Sequence, residues 1–185
     1  MRYAFGTLIV FAALCAALLF FFNLKHETLS ASLGAEPATT SLATAGPTSR
    51  WPPDGWREYV STPYKFSIFY PADMKVSEYD EGSGAFIVTF ENVSDVQGFQ
   101  IFIVPYDKPQ VSPERFKQDI PSGVRTDMQD VTIDGALGAA FYSRDESLGE
   151  TREVWFVNKG YLYEVTTLKP LEKDLLEILP SWRFI

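Results

Sequence analysis

The groups best suited to chemistry in this chain are carboxylates. Asp127, Asp130 and Asp134 form one acidic stretch, and Asp145, Glu146, Glu150 and Glu153 form a second. Either stretch can offer oxygen ligands to a hard cation such as Ca²⁺. Neither follows the D-x-[DN]-x-[DN]-G spacing, so the plainer reading of both is solvated turns. A carboxylate pair can also cleave glycosides, but that needs a sugar cleft, for which a domain this small has little room. Nucleophilic and zinc chemistry is excluded more firmly. The one histidine, His26, and the one cysteine, Cys15, both precede residue 51. The rest of the chain can assemble neither a Ser-His-Asp nor a Cys-His constellation, nor a zinc site of His and Cys. No G-x-G-x-x-G or G-x-x-x-x-G-K-[ST] run is present to cradle a phosphate. No catalytic, cofactor-binding or metal residue is therefore expected, and the chain is read as non-catalytic.

Two further motifs have both a sharp and a plain reading. Trp51, Trp56, Trp155 and Trp182, with many Phe and Tyr, could line a ligand groove. Most of these aromatics fall on alternating strand positions, which favours core packing. Asn92-Val93-Ser94 is a glycosylation sequon that matters only in a eukaryotic secretory route. The formal net charge of −8 argues against nucleic acid as a partner.

The elements that must position these residues begin after a hydrophobic segment. Ala4 to Leu24 is an uncharged, mostly aliphatic and aromatic run. At about 1.5 Å per residue it reaches about 31 Å, enough to span a bilayer core as a helix. It is too long for a cleaved signal core, and Leu14 before Cys15 does not fit a lipidation site. Residues 1–27 are accordingly read as a transmembrane anchor. Residues 28–55 form a Ser/Thr/Ala/Pro-rich linker with no apolar periodicity, too polar to order itself, and Pro52-Pro53 stiffens its end. Arg2 at one flank, and Lys25 offset by Glu27 at the other, give a weak bias toward an inside amino terminus. A cell-membrane, single-pass protein with its C-terminal domain outside the cytoplasm is expected.

Residues 56–185 hold the globular signals. Period-two alternation runs through Phe66–Tyr70, Phe86–Glu91 and Phe99–Val104, the last apolar on both faces and so expected to be central. Val131 to Ile133 and Ala136 to Ser143 flank Asp134-Gly135, reading as a hairpin with a primed turn. Glu153–Val157 and Tyr161–Thr167, joined by Asn158-Lys159-Gly160, read as a second hairpin. Such alternation with short turns means antiparallel pairing. Ser112 caps and Pro113 opens a first helix that carries Phe116 and Ile120 on one face and stops at Pro121. A second helix begins near Pro170, carries Leu171, Leu175, Ile178 and Leu179 as a stripe, and ends at Pro180. Helices at this spacing pack on the sheet, which gives an α+β fold, an antiparallel sheet flanked by helices.

Trp56 and Tyr59, followed by Tyr64, Phe66, Ile68, Tyr70, Pro71 and Val76, resemble the opening of PsbP-like domains, whose pattern is Y-x-F-x-I-x-Y-P-x-x-W-x-V. Met74 stands where that family usually has Trp. A Leu-rich helix followed by Trp182-Arg183-Phe184 is similar to the family's closing S-F-R-F strand. The resemblance implies an antiparallel sheet flanked by helices. Plant members resemble accessory subunits of photosystem II, and many bacterial members are tethered outer-face domains. No functional residue is implied, because the matching positions look structural, and photosystem assembly is not implied by them.

The expected function is a membrane-tethered binding or assembly module acting on a protein or envelope partner. A small-molecule or lipid carrier is the alternative, and a carboxylate enzyme the weakest. An enclosed apolar pocket would favour the carrier, and an acidic cluster in a cleft would favour the enzyme. If the linker contributes no core contacts, a fragment from Trp51 onward folds and stays soluble without the anchor. Circular dichroism and gel filtration of that fragment check this; an unfolded or insoluble product refutes the boundary.

Overall fold

The computed structural model describes residues 51–92, 94, 97–145 and 148–185. The anchor and most of the linker lie outside the described residues. Within the described part the strands form two antiparallel sheets. β1 (Trp56–Ser61) and β2 (Phe66–Pro71) make a hairpin. The closing strand β10 (Arg183–Phe184) pairs with the free edge of β2, setting Arg183 opposite Ser67 and Phe184 opposite Phe66. The second sheet comprises β3 (Met74–Gly82), β4 (Ala85–Asn92), β5 (Gly98–Pro105), β6 (Thr126–Ile133), β7 (Ala136–Asp145), β8 (Gly149–Asn158) and β9 (Tyr161–Leu168). Its spatial order is β3-β4-β5-β9-β8-β7-β6.

That order explains where the first helix lies. The chain meanders through β3, β4 and β5, leaves the sheet centre, and returns at the opposite edge as β6. The connection between them carries α1 (Pro113–Asp119) over one face. The chain then meanders back through β7 and β8, and β9 slots in beside β5, setting Val165 opposite both Ile101 and Val154. Two hairpins in this return use primed turns. Asp134-Gly135 and Lys159-Gly160 have φ of 44° and 84°, and 45° and 83°. Positive φ at both central positions matches the right-handed strand twist, and glycine takes the second position without steric cost. The second loop is one residue shorter than its sequence suggests, because Asn158 already pairs with Tyr161.

The main core lies between the two sheets. Phe66 stacks on Trp182 at 4.3 Å, and Trp182 meets Phe156 and Tyr163 edge-on. Val88, Phe90, Ile101, Ile103, Val154 and Val165 complete this face, all fully buried. α2 (Glu172–Ile178) closes the same layer, flanked by 3-10 turns at Lys169–Leu171 and Leu179–Ser181. Leu175, Ile178 and Leu179 face inward. Ser181 ties the turn to β2: its hydroxyl accepts from the Phe69 amide at 2.8 Å and donates to the Ile178 carbonyl at 2.7 Å.

The expected single sheet flanked by helices is therefore more layered: one side is covered by a second small sheet with α2, the other by α1. This explains why Ser67 and Phe69, which alternation assigns to an outer face, are buried. β1 and β3 form strands despite sequences that show little alternation. Both are edges, and β3 places Glu78, Asp80 and Glu81 on an unpaired border. The other edge, β6, has a bulge between Thr126 and Gln129 and a positive φ of 52° at Asp127. Charges and bulges on edges discourage pairing with other chains.

Leu175 is 1% exposed on α2. Leu175→Ala is expected to cost about 2–5 kcal/mol as a core truncation. An unchanged thermal midpoint would show that α2 carries no share of the core.

Candidate functional site

The two acidic stretches are dispersed in the structure. Asp127 and Asp130 are exposed on β6. Asp134 accepts from the Phe184 amide at 2.7 Å and so fastens the closing strand. Asp145 accepts from the Leu148 amide at 2.9 Å within a turn. Glu146 lies outside the described residues. Glu150 pairs with Lys169 at 3.1 Å. Among the described residues no three His, Cys, Asp or Glu side chains are grouped to hold a metal. At the sequon, Asn92 Oδ1 accepts from both the amide and the hydroxyl of Ser94. Trp51 is exposed and Trp56 half-buried, whereas Trp155 and Trp182 are core residues.

Glu153 departs from its expected place in a solvated turn. It sits in the middle of β8, buried, under α1. The reason is its neighbours. Thr151 and Trp155, two residues away on the same strand face, donate to its carboxylate at 2.7 and 3.1 Å. Thr166 on β9 donates at 2.6 Å. Three donors replace the water that burial removed. Burial still pushes the Glu153 carboxyl above its ordinary value, against the opposing pull of those donors.

A second buried acid stands beside it. Glu164 on β9 lies opposite Trp155 and meets the underside of α1. There Arg115 Nη2 approaches Glu164 Oε1 at 3.3 Å, and Arg115 also pairs with Asp119 one turn along the helix. Glu164 and Asp119 are thus brought together on the same guanidinium. Burial, then the charge of Asp119, hold the Glu164 carboxyl well above its usual range, with Arg115 only partly offsetting them. Burial also raises Asp119, while the bonds from Glu164 and Arg115 lower it. Two buried carboxyl groups thus crowd one guanidinium, an arrangement that favours keeping a proton between them.

The sequence did not single out Arg115, Asp119 or Glu164. The available signal was an acid between apolar positions in a two-sided strand, with Thr or Trp two residues away. Side by side with this polar cluster is an apolar one, Val104, Phe116, Ile120, Phe141, Trp155 and Leu162. Trp155 belongs to both, because its indole donates to Glu153 and its ring stacks on Phe116 at 5.2 Å. Phe116 and Ile120 are the buried apolar anchors of the helix and its cap. Each is worth about 1.5–3 kcal/mol. Leaving one buried charge uncompensated costs about 3–5 kcal/mol. Apolar docking and cluster charge are thus of the same size.

On the opposite face a different network fastens α2. Arg152 Nε lies 3.4 Å from Glu172 Oε1, and its guanidinium sits 4.7 Å over the Tyr142 ring. The Tyr142 hydroxyl donates to the same carboxylate at 2.8 Å. These partners hold a helix start in place and project nothing toward solvent chemistry.

Neither of the two best-formed depressions among the described residues reaches the carboxyl cluster. One, of about 370 Å³, lies at the surface beside Tyr106, Lys108 and Lys159. The other, of about 80 Å³, lies between α2 and the sheet beside Phe99, Leu171 and Leu175. The buried acids line neither of them.

Two facing sheets with α2 on one side and a crossover helix on the other define a PsbP-like fold. The chain is similar to cyanobacterial PsbP (CyanoP) from Synechocystis sp. PCC 6803, whose solution structure superposes with a TM-score of 0.51 at 16% identity. The match covers 76% of this chain and 100% of that one. Neither a family model nor a curated protein sequence matches the chain.

Arg115 is the cation facing Asp119 and Glu164. Arg115→Met is expected to destabilise the fold by about 3–5 kcal/mol near neutral pH, since it leaves buried carboxylates unpaired. The loss should shrink on acidification, as protonated carboxyls need no counter-charge. Urea unfolding at both pH values checks this; a loss independent of pH refutes it.

Proposed function

We propose that the chain is a membrane-tethered, extracytoplasmic binding or assembly module without catalytic activity. The observation that carries this reading is the PsbP-like fold, closed on both sheet faces over packed side chains. The gap between α2 and the sheet is about 80 Å³. Ligand sites usually need about 300–1,000 Å³, and the one depression of that size among the described residues, about 370 Å³, lies open at the surface beside Tyr106 and Lys159 rather than between sheet and helix, so the carrier gains no support. The acidic side chains are buried and line neither depression, so none favours the enzyme.

The partner in this reading is a protein or envelope component met at the strand edges. Exposed large apolar side chains are spread over edge and near-edge strands: Val60 on β1, Tyr79 on β3, Met128 on β6 and Leu137 on β7. Nucleic acid is disfavoured by the acidic charge. The tether is the run from Ala4 to Leu24, outside the described residues. Among the described residues, no helix is long and apolar enough to cross a membrane. The weak charge bias at the flanks supports a domain outside the cytoplasm.

Protease shaving of intact cells, or of spheroplasts where an outer membrane intervenes, tests the placement. Digestion in the linker with a cytoplasmic control left whole is the expected result. Digestion only after lysis would put the domain inside. Crosslinking in native membranes then tests the module reading: a specific adduct that survives mutation of the linker supports it, and no adduct from either strand edge refutes it.

A further inference from the structure

We infer that the carboxyl cluster beneath α1 is a proton-operated latch: a proton on Glu164 holds the helix on the sheet, and its loss releases the helix locally. The inference stands independently of the proposed function. It begins from what faces the cluster. α1 contributes Arg115 and Asp119, while its Glu114 and Lys117 are exposed. β9 contributes Glu164 and the Thr166 hydroxyl. β8 contributes Glu153, with Thr151 and the Trp155 indole as donors to it. At the end of β7, Asp145 adds negative potential at Glu153. On β5, Phe102 lies opposite Glu164 and carries no charge. The Arg125 guanidinium sits 4.5 Å over the Phe116 ring rather than on a carboxylate of the cluster. Among the described residues Arg115 is thus the guanidinium shared by two buried carboxyl groups, Asp119 and Glu164, with Glu153 close by on three neutral donors, and a proton on the cluster offsets the excess of negative charge.

The helix is built so that this imbalance matters. α1 has seven residues, and Phe116 is the one it buries fully, with Ile120 at its cap. Both charged groups that it brings to the sheet, Arg115 and Asp119, lie in the cluster. The sheet beneath does not depend on the helix, because β8 and β9 pair along their whole length and bury their other face in the main core. Loss of a proton from Glu164 sets two buried carboxylates, Glu164 and Asp119, against each other around a single guanidinium. Moving α1 away relieves that repulsion and bares Trp155, Phe141 and Leu162.

The direction in pH follows from the proton's location. The docked state holds the Glu164 proton more tightly than the undocked state. The docking contribution is therefore complete below the ordinary carboxyl value. It is lost as pH rises through the elevated one. This is opposite to the usual effect of acid on paired carboxylates.

The test is amide hydrogen exchange on the full chain in detergent micelles, corrected for intrinsic rates. The reporters are the Phe116 amide, bonded to the Ser112 carbonyl at 3.2 Å, and the Ile120 amide, bonded to the Phe116 carbonyl at 3.0 Å. Their protection is expected to fall by about tenfold or more between about pH 5 and pH 8, with β8 and β9 unchanged. Glu164→Gln removes the titrating group beside Asp119, so the fall should vanish. Asp119→Asn, which removes the opposing charge, should reduce it if the first variant does not fold. Equal protection at both pH values in the wild type overturns the latch. So does an undiminished fall in a folded variant, and so does loosening of β8 and β9 together with α1.

Discussion

The architecture depends on the seating of β9. This strand arrives last in the large sheet and must fit between β5 and β8, which were laid down on separate meanders. Its residues alternate strictly. Tyr163, Val165 and Thr167 face the main core, while Leu162, Glu164 and Thr166 face α1. A slip of one residue would carry Glu164 into the packing around Trp182 and Phe66, and Tyr163 under the helix. A buried carboxyl with no donor costs several kcal/mol, so register is defended more strongly than by apolar matching alone. The polar cluster thus has a structural consequence whatever else it does: it permits one pairing of the two halves of the sheet.

Much of this was legible before any coordinates. Alternation in Phe99–Val104 announces a two-sided interior strand, and β5 is one. Asp134-Gly135 announces a primed turn, which the dihedral angles bear out. Ser112 and Pro113 announce a helix start, and the Ser112 hydroxyl accepts from the Arg115 amide at 3.3 Å. The resemblance at both ends of the domain pointed to the PsbP-like fold that the superposition supports. Edge strands were harder to read. β1 and β3 are solvated along one border, so their composition follows edge protection rather than core packing, and alternation is lost. The turn joining β3 to β4, with positive φ at Ser83 and Gly84, is the local signal of that pairing.

The carboxyl cluster was illegible for a different reason. Along β8 the order Thr151-Arg152-Glu153-Val154-Trp155 looks like a charged surface stretch, because sequence places charges outside by default. In this strand both faces are buried, and each charge meets a partner from another element: Arg152 meets Glu172 of α2, and Glu153 meets Thr166 of β9. Such partners lie across the β8–β9 hairpin and in the helix that follows it. Pattern can say that a strand is interior. It cannot say that its charges are paired, since the partners come from the neighbouring strand and from a helix packed on it.

The two helices show how one sheet can hold its coverings by different physics. α2 is held by Leu175, Ile178 and Leu179 in the main core, and its Glu172 finds Arg152 and Tyr142 at a half-buried margin. Apolar burial does not change with pH, so α2 is committed. α1 rests on fewer apolar anchors and on carboxyls whose charge is set by solvent acidity. In the proposed reading as a binding module, the domain gains from this division. The layer that keeps the fold intact is insulated from the medium, while the other layer can respond without unfolding the sheet. The apolar surface that α1 covers includes Trp155 and Phe141, side chains whose aromatic area suits protein contacts. The state of the cluster therefore decides whether that surface faces the helix or the surroundings, and the strand register that fixes the fold is the same feature that gives the surface its control.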